Sequence, residues 1–263
     1  MNNIRRFFKI WARGFSLSMS SQLAYRTSFI LLVFSLIFSR MIGPIITILV
    51  YNISAGIPGW TLYEMILFQG VAVFVFGFSH AFVGGIAWTT QDMVNEGEFE
   101  MVLLRPFYIL ANIASRSVDF HGLTDVLVGL TLIIFALIKL HLFGPMLLAF
   151  ALLIMLALIF IFSLNVIVAS LAIIFVQVEA LDNIVGSVAQ FSGWPITIYP
   201  GGVKFFLTFI IPAAIASYWP ASVLIGKEPL SNIILAAIPV IVFFIFAIWF
   251  WGIALKKYQS AGG

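Results

Sequence analysis

From Met146 to Val176 the chain runs without a single charged side chain. A helix of that length extends about 46 Å at 1.5 Å per residue, longer than a bilayer core of about 30 Å. The run is too short for two crossings and a turn, so one long helix that crosses the membrane and projects beyond it satisfies both limits. The rest of the chain agrees. Of its 263 residues 63% are hydrophobic and only 9% charged, against about 25% charged in a soluble domain. A globule of this size lacks the charges to cover its surface, while the 28 phenylalanines suit contact with lipid. The sequence describes an all-α integral membrane protein.

Six stretches have the length and apolarity of a spanning helix: about 28–50, 65–88, 118–138, 146–176, 205–224 and 233–255. The start of the third is blurred by Arg116, Asp119 and Asp125, and the fifth contains Pro212 and Pro220. Those prolines free backbone carbonyls. They imply either a static kink or a hinged, re-entrant path through Trp219 to Asn232. The chain therefore divides into an N-terminal segment 1–27, one transmembrane domain 28–258 with a polar loop at 89–117, and a tail 259–263.

Basic residues set the orientation. With the N-terminus in the cytoplasm and six alternating spans, Arg5, Arg6, Lys9, Arg13, Arg26, Arg105, Arg116, Lys204, Lys256 and Lys257 fall inside. Only Lys139 and Lys227 fall outside. Both termini are expected in the cytoplasm of a cell membrane. In the N-terminal segment Ile4, Phe8, Trp11 and Phe15 share one helical face, and Arg5, Lys9 and Arg13 lie on the other. That division predicts an amphipathic interfacial helix, rings in the acyl region and cations toward anionic head groups.

Several chemistries are excluded. The chain has no Cys, so no thiolate site or cysteine nucleophile. His80, His121 and His141 are far apart and form no ligand spacing. No phosphate-binding loop and no nucleophile elbow occurs, so if ATP is used another chain must supply the site.

Half of the ten acids fall in the loop 89–122, at Asp92, Glu96, Glu98, Glu100 and Asp119. Gly97 breaks the preceding helix, and Pro106 disfavours helical geometry at Arg105. Between them a short element offers Phe99, Leu103 and Leu104 beside three carboxylates, which predicts a docking surface rather than a merely solvated loop.

The run Gly-x-Phe-Glu-x-x-Leu-Leu-Arg-Pro at 97–106 resembles the loop motif of one group of type-two ABC exporter permeases. Ile211-Pro212-Ala213 with Tyr218-x-Pro220-Ala221 is similar to that family's proline-punctuated fifth span. Trp251-Gly252 with Tyr258-Gln259-Ser260-Ala261-Gly262 is similar to its C-terminal signature. The chain departs from the commoner pattern in setting Glu98 and Glu100 on either side of Phe99. The resemblance covers nearly the whole chain and implies six transmembrane helices with an N-terminal elbow helix. It implies a dimer, with itself or with a related second permease, and two separate ATPase subunits that bind ATP and magnesium; no cofactor and no nucleic acid is expected on this chain. By the same resemblance Glu96, Glu98, Phe99, Glu100, Leu103, Leu104, Arg105 and Pro106 belong to the element that couples to the ATPase.

Arg40 stands about 11 residues from either end of the first span. There it costs at least about 2.5–3.5 kcal/mol on insertion scales, and its side chain cannot climb some 16 Å to an interface. It needs a partner or a wet cavity. Gln69, His80 and Asn165 are candidates on other spans, with Asp125 an alternative if the third helix starts early. Either a substrate path or an interhelical hydrogen bond accounts for such a group. A transport subunit for a hydrophobic or amphipathic cargo is the leading expectation. A lipid-modifying membrane enzyme and a membrane scaffold are the alternatives, the first disfavoured by the lack of clustered ionisable residues at one depth.

Overall fold

A computed structural model describes residues 26–104, 109–116, 119–175 and 181–258. The interfacial helix expected from Arg5, Phe8, Lys9, Trp11, Arg13 and Phe15 lies outside the described residues, as do Arg105, Pro106 and the tail 259–263.

Throughout the described residues the ordered elements are helical. Helix α1, Arg26–Ile53, carries Pro44 within it. Helix α2, Leu62–Phe82, starts where the Glu64 carboxylate accepts the Thr61 N–H at 2.7 Å, satisfying a donor that a helix start leaves open. After a short break at Val83 and Gly84 it continues as α3, Gly85–Asn95. The loop holds two short helices, α4 at Phe99–Leu103 and α5 at Ile109–Arg116. Helix α6, Phe120–Leu140, is capped by Asp119, which accepts the His121 N–H at 3.0 Å, and it ends at His141 in the left-handed region. Helix α7, Met146–Phe175, follows Gly144 and Pro145, and α8 is Leu181–Ser192. Helix α11, Asn232–Lys257, closes on Lys256 and Lys257, cations suited to a helix C-terminus.

Five helical stretches are long and apolar enough to cross a membrane: Phe29–Ile53, Leu62–Asn95, His121–Leu140, Met146–Phe175 and Asn232–Lys257. The stretch 205–224 is different. Helix α9, Gly201–Phe205, runs into a π turn at Phe206–Ile210, and Ile211 is extended. A 3-10 turn at Ala213–Ala216 and α10, Tyr218–Leu224, follow. Pro212 has no N–H to continue the ladder, so the helix stops before it. Two serine hydroxyls tie the broken segment to the end of α8. Ser192 Oγ donates to the Ala213 carbonyl at 3.1 Å, and Ser217 Oγ donates to the Ser192 carbonyl at 2.5 Å. Residues 212–224 are all buried, packed against α2 and α7. Of the two readings left open by Pro212 and Pro220, a kinked helix or a hinged path, the segment 205–224 is broken rather than one kinked helix, and from Pro212 onward it is folded into the bundle.

The tightest pair is α2 with α6, and glycine explains it. A Cβ on Gly122 would collide with the backbone of Ala81, and one on Gly77 would lie 2.6 Å from Asp125 Cβ. Gly70 and Gly129 meet the partner helix in the same way. Each helix repeats its glycine after seven residues, which returns to nearly the same face. Backbones thus approach closely, the usual basis of helix association in lipid. Hydroxyls on the spans are satisfied locally: Thr131, Ser163 and Ser170 each donate to the carbonyl four residues back.

One end of the bundle carries the acidic loop and the C-terminal end of α11. At the opposite end Lys227 Nζ lies 2.9 Å from Glu64 Oε2 and donates to the Gly59 carbonyl at 2.7 Å, above the Trp60 ring. Glu228 there accepts from Tyr218 Oη at 2.8 Å and Asn232 Nδ2 at 2.7 Å.

Candidate functional site

At the loop end Gly97 adopts φ 74, where a side chain would be strained, and separates α3 from α4. Phe99 and Val102, three residues apart on one helical face, are fully buried in a cluster with Met93, Val94, Ile113 and Trp251. The Phe99 ring centre is 5.0 Å from that of Tyr258. The loop motif and the C-terminal signature, about 150 residues apart in sequence, are thus neighbours in space. Glu96, Glu98 and Glu100 are exposed, and so are Met101, Leu103 and Leu104, the last at 85%. The outward apolar surface expected from Phe99, Leu103 and Leu104 is corrected in one member: Phe99 points inward and roots the helix, while Met101 takes its place outside.

Tyr258 closes this cluster. Burial, and after it the Glu100 carboxylate, pushes its phenol above the ordinary value. The hydroxyl stays neutral, and its buried oxygen has no hydrogen-bond partner among the described residues.

Inside the bundle Arg40 meets Asp125. Nε donates to Oδ1 and Nη2 to Oδ2, both at 2.7 Å, the bidentate geometry that suits a guanidinium and a carboxylate. His80 Nδ1 is 3.5 Å from the same Oδ2. Of the four candidates, then, Asp125 is the partner, because α6 starts at Phe120 and brings it into the span. Asp125 lies about 7.5 Å along α6 from that start, nearer the loop end than the far end. Gln69 and Asn165 do not pair with Arg40. Gln69 Nε2 donates to Thr47 Oγ1 at 2.7 Å, tying α2 to α1. Asn165 Nδ2 donates to Ser79 Oγ at 3.2 Å and to the Ile161 carbonyl at 2.9 Å, tying α7 to α2. Thr47 and Ser79 carried no signal in the sequence. The glycine spacing did, since it sets how closely Asp125 approaches α2.

Beside the ion pair is a cavity of about 500 Å³ between α1, α2 and α8. Arg40, Gln69, Phe76, His80, Gln190 and Trp194 line it. Among the described residues no three His, Asp or Glu side chains converge as metal ligands. The arrangement provides a polar patch on an apolar wall, and its one carboxylate is already engaged by a guanidinium.

A search of curated protein sequences finds no match. The family described as ABC-2 family transporter protein matches residues 27–262, from the start of α1 past the end of α11. This chain belongs to the ABC-2 family of transporter membrane proteins.

Proposed function

We propose that this chain is the membrane subunit of an ATP-driven exporter that moves hydrophobic or amphipathic compounds across a cell membrane. Separate ATPase subunits bind ATP and magnesium, and a second permease, identical or related, completes the pathway. Both termini lie in the cytoplasm, where the surplus of Lys and Arg belongs. Chain direction supports the reading of six crossings. Helices α7 and α11 both run toward the loop end, so the broken segment 181–224 makes the return between them.

The observation that carries this reading is the construction of the loop. Helix α4 shows carboxylates and Met101, Leu103 and Leu104 outward, while Phe99 and Val102 anchor it in a cluster built from α3, α5, α7 and α11. A push on the outer face reaches several spanning helices at once, because packed side chains move as a body. The energy is supplied by the motor's differential affinity for two states, with no chemistry in this chain.

The test is to replace Leu103 and Leu104 together by Ser in the assembled transporter. Both are exposed, so folding stays intact. ATP hydrolysis continues while transport per ATP falls at least about tenfold, equivalent to a lost interaction of about 1.4 kcal/mol. Unaltered coupling in that variant, or a purified complex that contains no ATPase, refutes the assignment.

A further inference from the structure

Arg40 has more donors than Asp125 uses. Nε and one Nη2 hydrogen go to the carboxylate. A guanidinium has five N–H donors, so three have no acceptor among the described residues. The Arg40 side chain is 38% exposed and lines the 500 Å³ cavity between α1, α2 and α8. Gln190 and Trp194 line the same cavity from α8 and the turn after it, both exposed. Their side-chain N–H groups also have no partner among the described residues. Val73 and Phe76 give the cavity an apolar wall. A neighbouring cavity of similar size, between α8 and the 203–211 segment, has no charged lining residue, so the two differ in what they can hold.

Donors left open in a water-poor site are unfavourable, and an acceptor relieves them. Phosphate and carboxylate oxygens match the planar fork of Arg. Gln69 Oε1 on this wall is a buried acceptor with no partner among the described residues, but it is a neutral amide oxygen, and the Arg40 charge beside it disfavours a cation. We propose that this cavity binds the anionic head of an amphipathic ligand, its phosphate or carboxylate oxygens on the free N–H groups of Arg40, Gln190 and Trp194 and its apolar body along Val73 and Phe76. The proposal rests on the amphipathic-cargo reading only in naming the head group of that cargo. It concerns binding, measured without nucleotide or ATPase, so its failure leaves the transport reading untouched.

The experiment uses the full chain in nanodiscs of phosphatidylcholine, with radiolabelled dodecyl phosphate as the probe and empty discs as the blank. Saturable binding above the blank is expected, competed by unlabelled dodecyl phosphate but not by dodecyl maltoside or inorganic phosphate. Affinity falls at least tenfold in the pair Q190L/W194F, whose positions are exposed and leave the fold intact. It falls at least as far in R40L/D125L, which removes the donors without stranding a carboxylate. Adding phosphatidylglycerol to the discs identifies the source: displacement of the probe assigns the site to a lipid head group, and no displacement assigns it to a free amphiphile. Probe uptake equal to that of empty discs, or full affinity in Q190L/W194F, overturns the proposal.

Discussion

Helices α1 and α6 both lie against α2, and they are held in the bundle by opposite means. Helix α6 meets α2 backbone to backbone through glycines on both. Whereas Leu62–Asn95 is mostly buried, helix α1 is largely exposed along its length. Its attachments are polar: Arg40 to Asp125, Thr47 to Gln69, and Tyr51 Oη to the Trp60 carbonyl at 2.6 Å. These three positions are seven and four residues apart, which places them on one face of α1. The lesson is specific to lipid. An apolar side chain gains little by leaving acyl chains for another helix, so association rests on close backbone approach or on hydrogen bonds. Helix α6 uses the first and α1 the second. The opposite face of α1 leaves Leu31, Phe34, Phe38 and Ile42 exposed.

If polar tethers hold α1, the largest effect comes from cutting the ion pair. Arg40→Leu leaves the buried Asp125 carboxylate without its cation; a fully buried pair broken in this way costs about 3–5 kcal/mol, and the 38% exposure of Arg40 places this one toward the low end. Thermal unfolding in a mild detergent should show it, and adding Asp125→Leu should restore most of the melting temperature. An unchanged melt for Arg40→Leu breaks the comparison. Next comes Gly122→Ala on the close-packed side. Its methyl group enters the Ala81 backbone, and overpacking of this kind costs about 1–3 kcal/mol. If the same melt shows that alanine is harmless there, close approach is not what holds α6. Thr47→Val is smaller. It removes one interhelical hydrogen bond in the membrane, about 0.6 kcal/mol on average, and is best read as the difference from Gln69→Leu and from the double variant.

The same contrast explains what could be read in the sequence. Helix α7 was plain because its lack of charge is a local property. Arg40 announced that it needed a partner, since the cost belongs to the residue type wherever it is buried. The choice of Asp125 was not local. It depends on where α6 starts, which the Asp119 cap decides, and on glycines that let two backbones close up. The stretch 205–224 has the hydropathy of a span because a buried broken segment and a lipid-facing helix are equally apolar. Only Pro212 and Pro220 hinted at the difference, and they fit a kink as well. In α4 the inward pair Phe99 and Val102 shares five residues with outward Met101 and Leu103, too short a helix for periodicity to fix the phase.

A change of comparable size separates two tyrosines that carry the same hydroxyl, and at one of them it is expected to vanish. At the loop end Tyr258 packs on Phe99 as α6 packs on α2, by shape, and its buried hydroxyl has no partner among the described residues. Tyr51 instead uses its hydroxyl as a tether. Tyr51→Phe should therefore cost about 0.5–1.5 kcal/mol, the net worth of a hydrogen bond, while Tyr258→Phe should be neutral or slightly stabilising because it removes an unsatisfied group. The raised Tyr258 phenol adds a pH signature. Its folded value exceeds its unfolded value of about 10, so its contribution to stability is whole below that pH and is lost as pH rises further. Wild type and Tyr258→Phe should then melt alike at neutral pH, with the variant losing less above about pH 10. A clear loss at neutral pH on Tyr258→Phe would show that the hydroxyl is a tether after all, and would move the loop end to the side of α1.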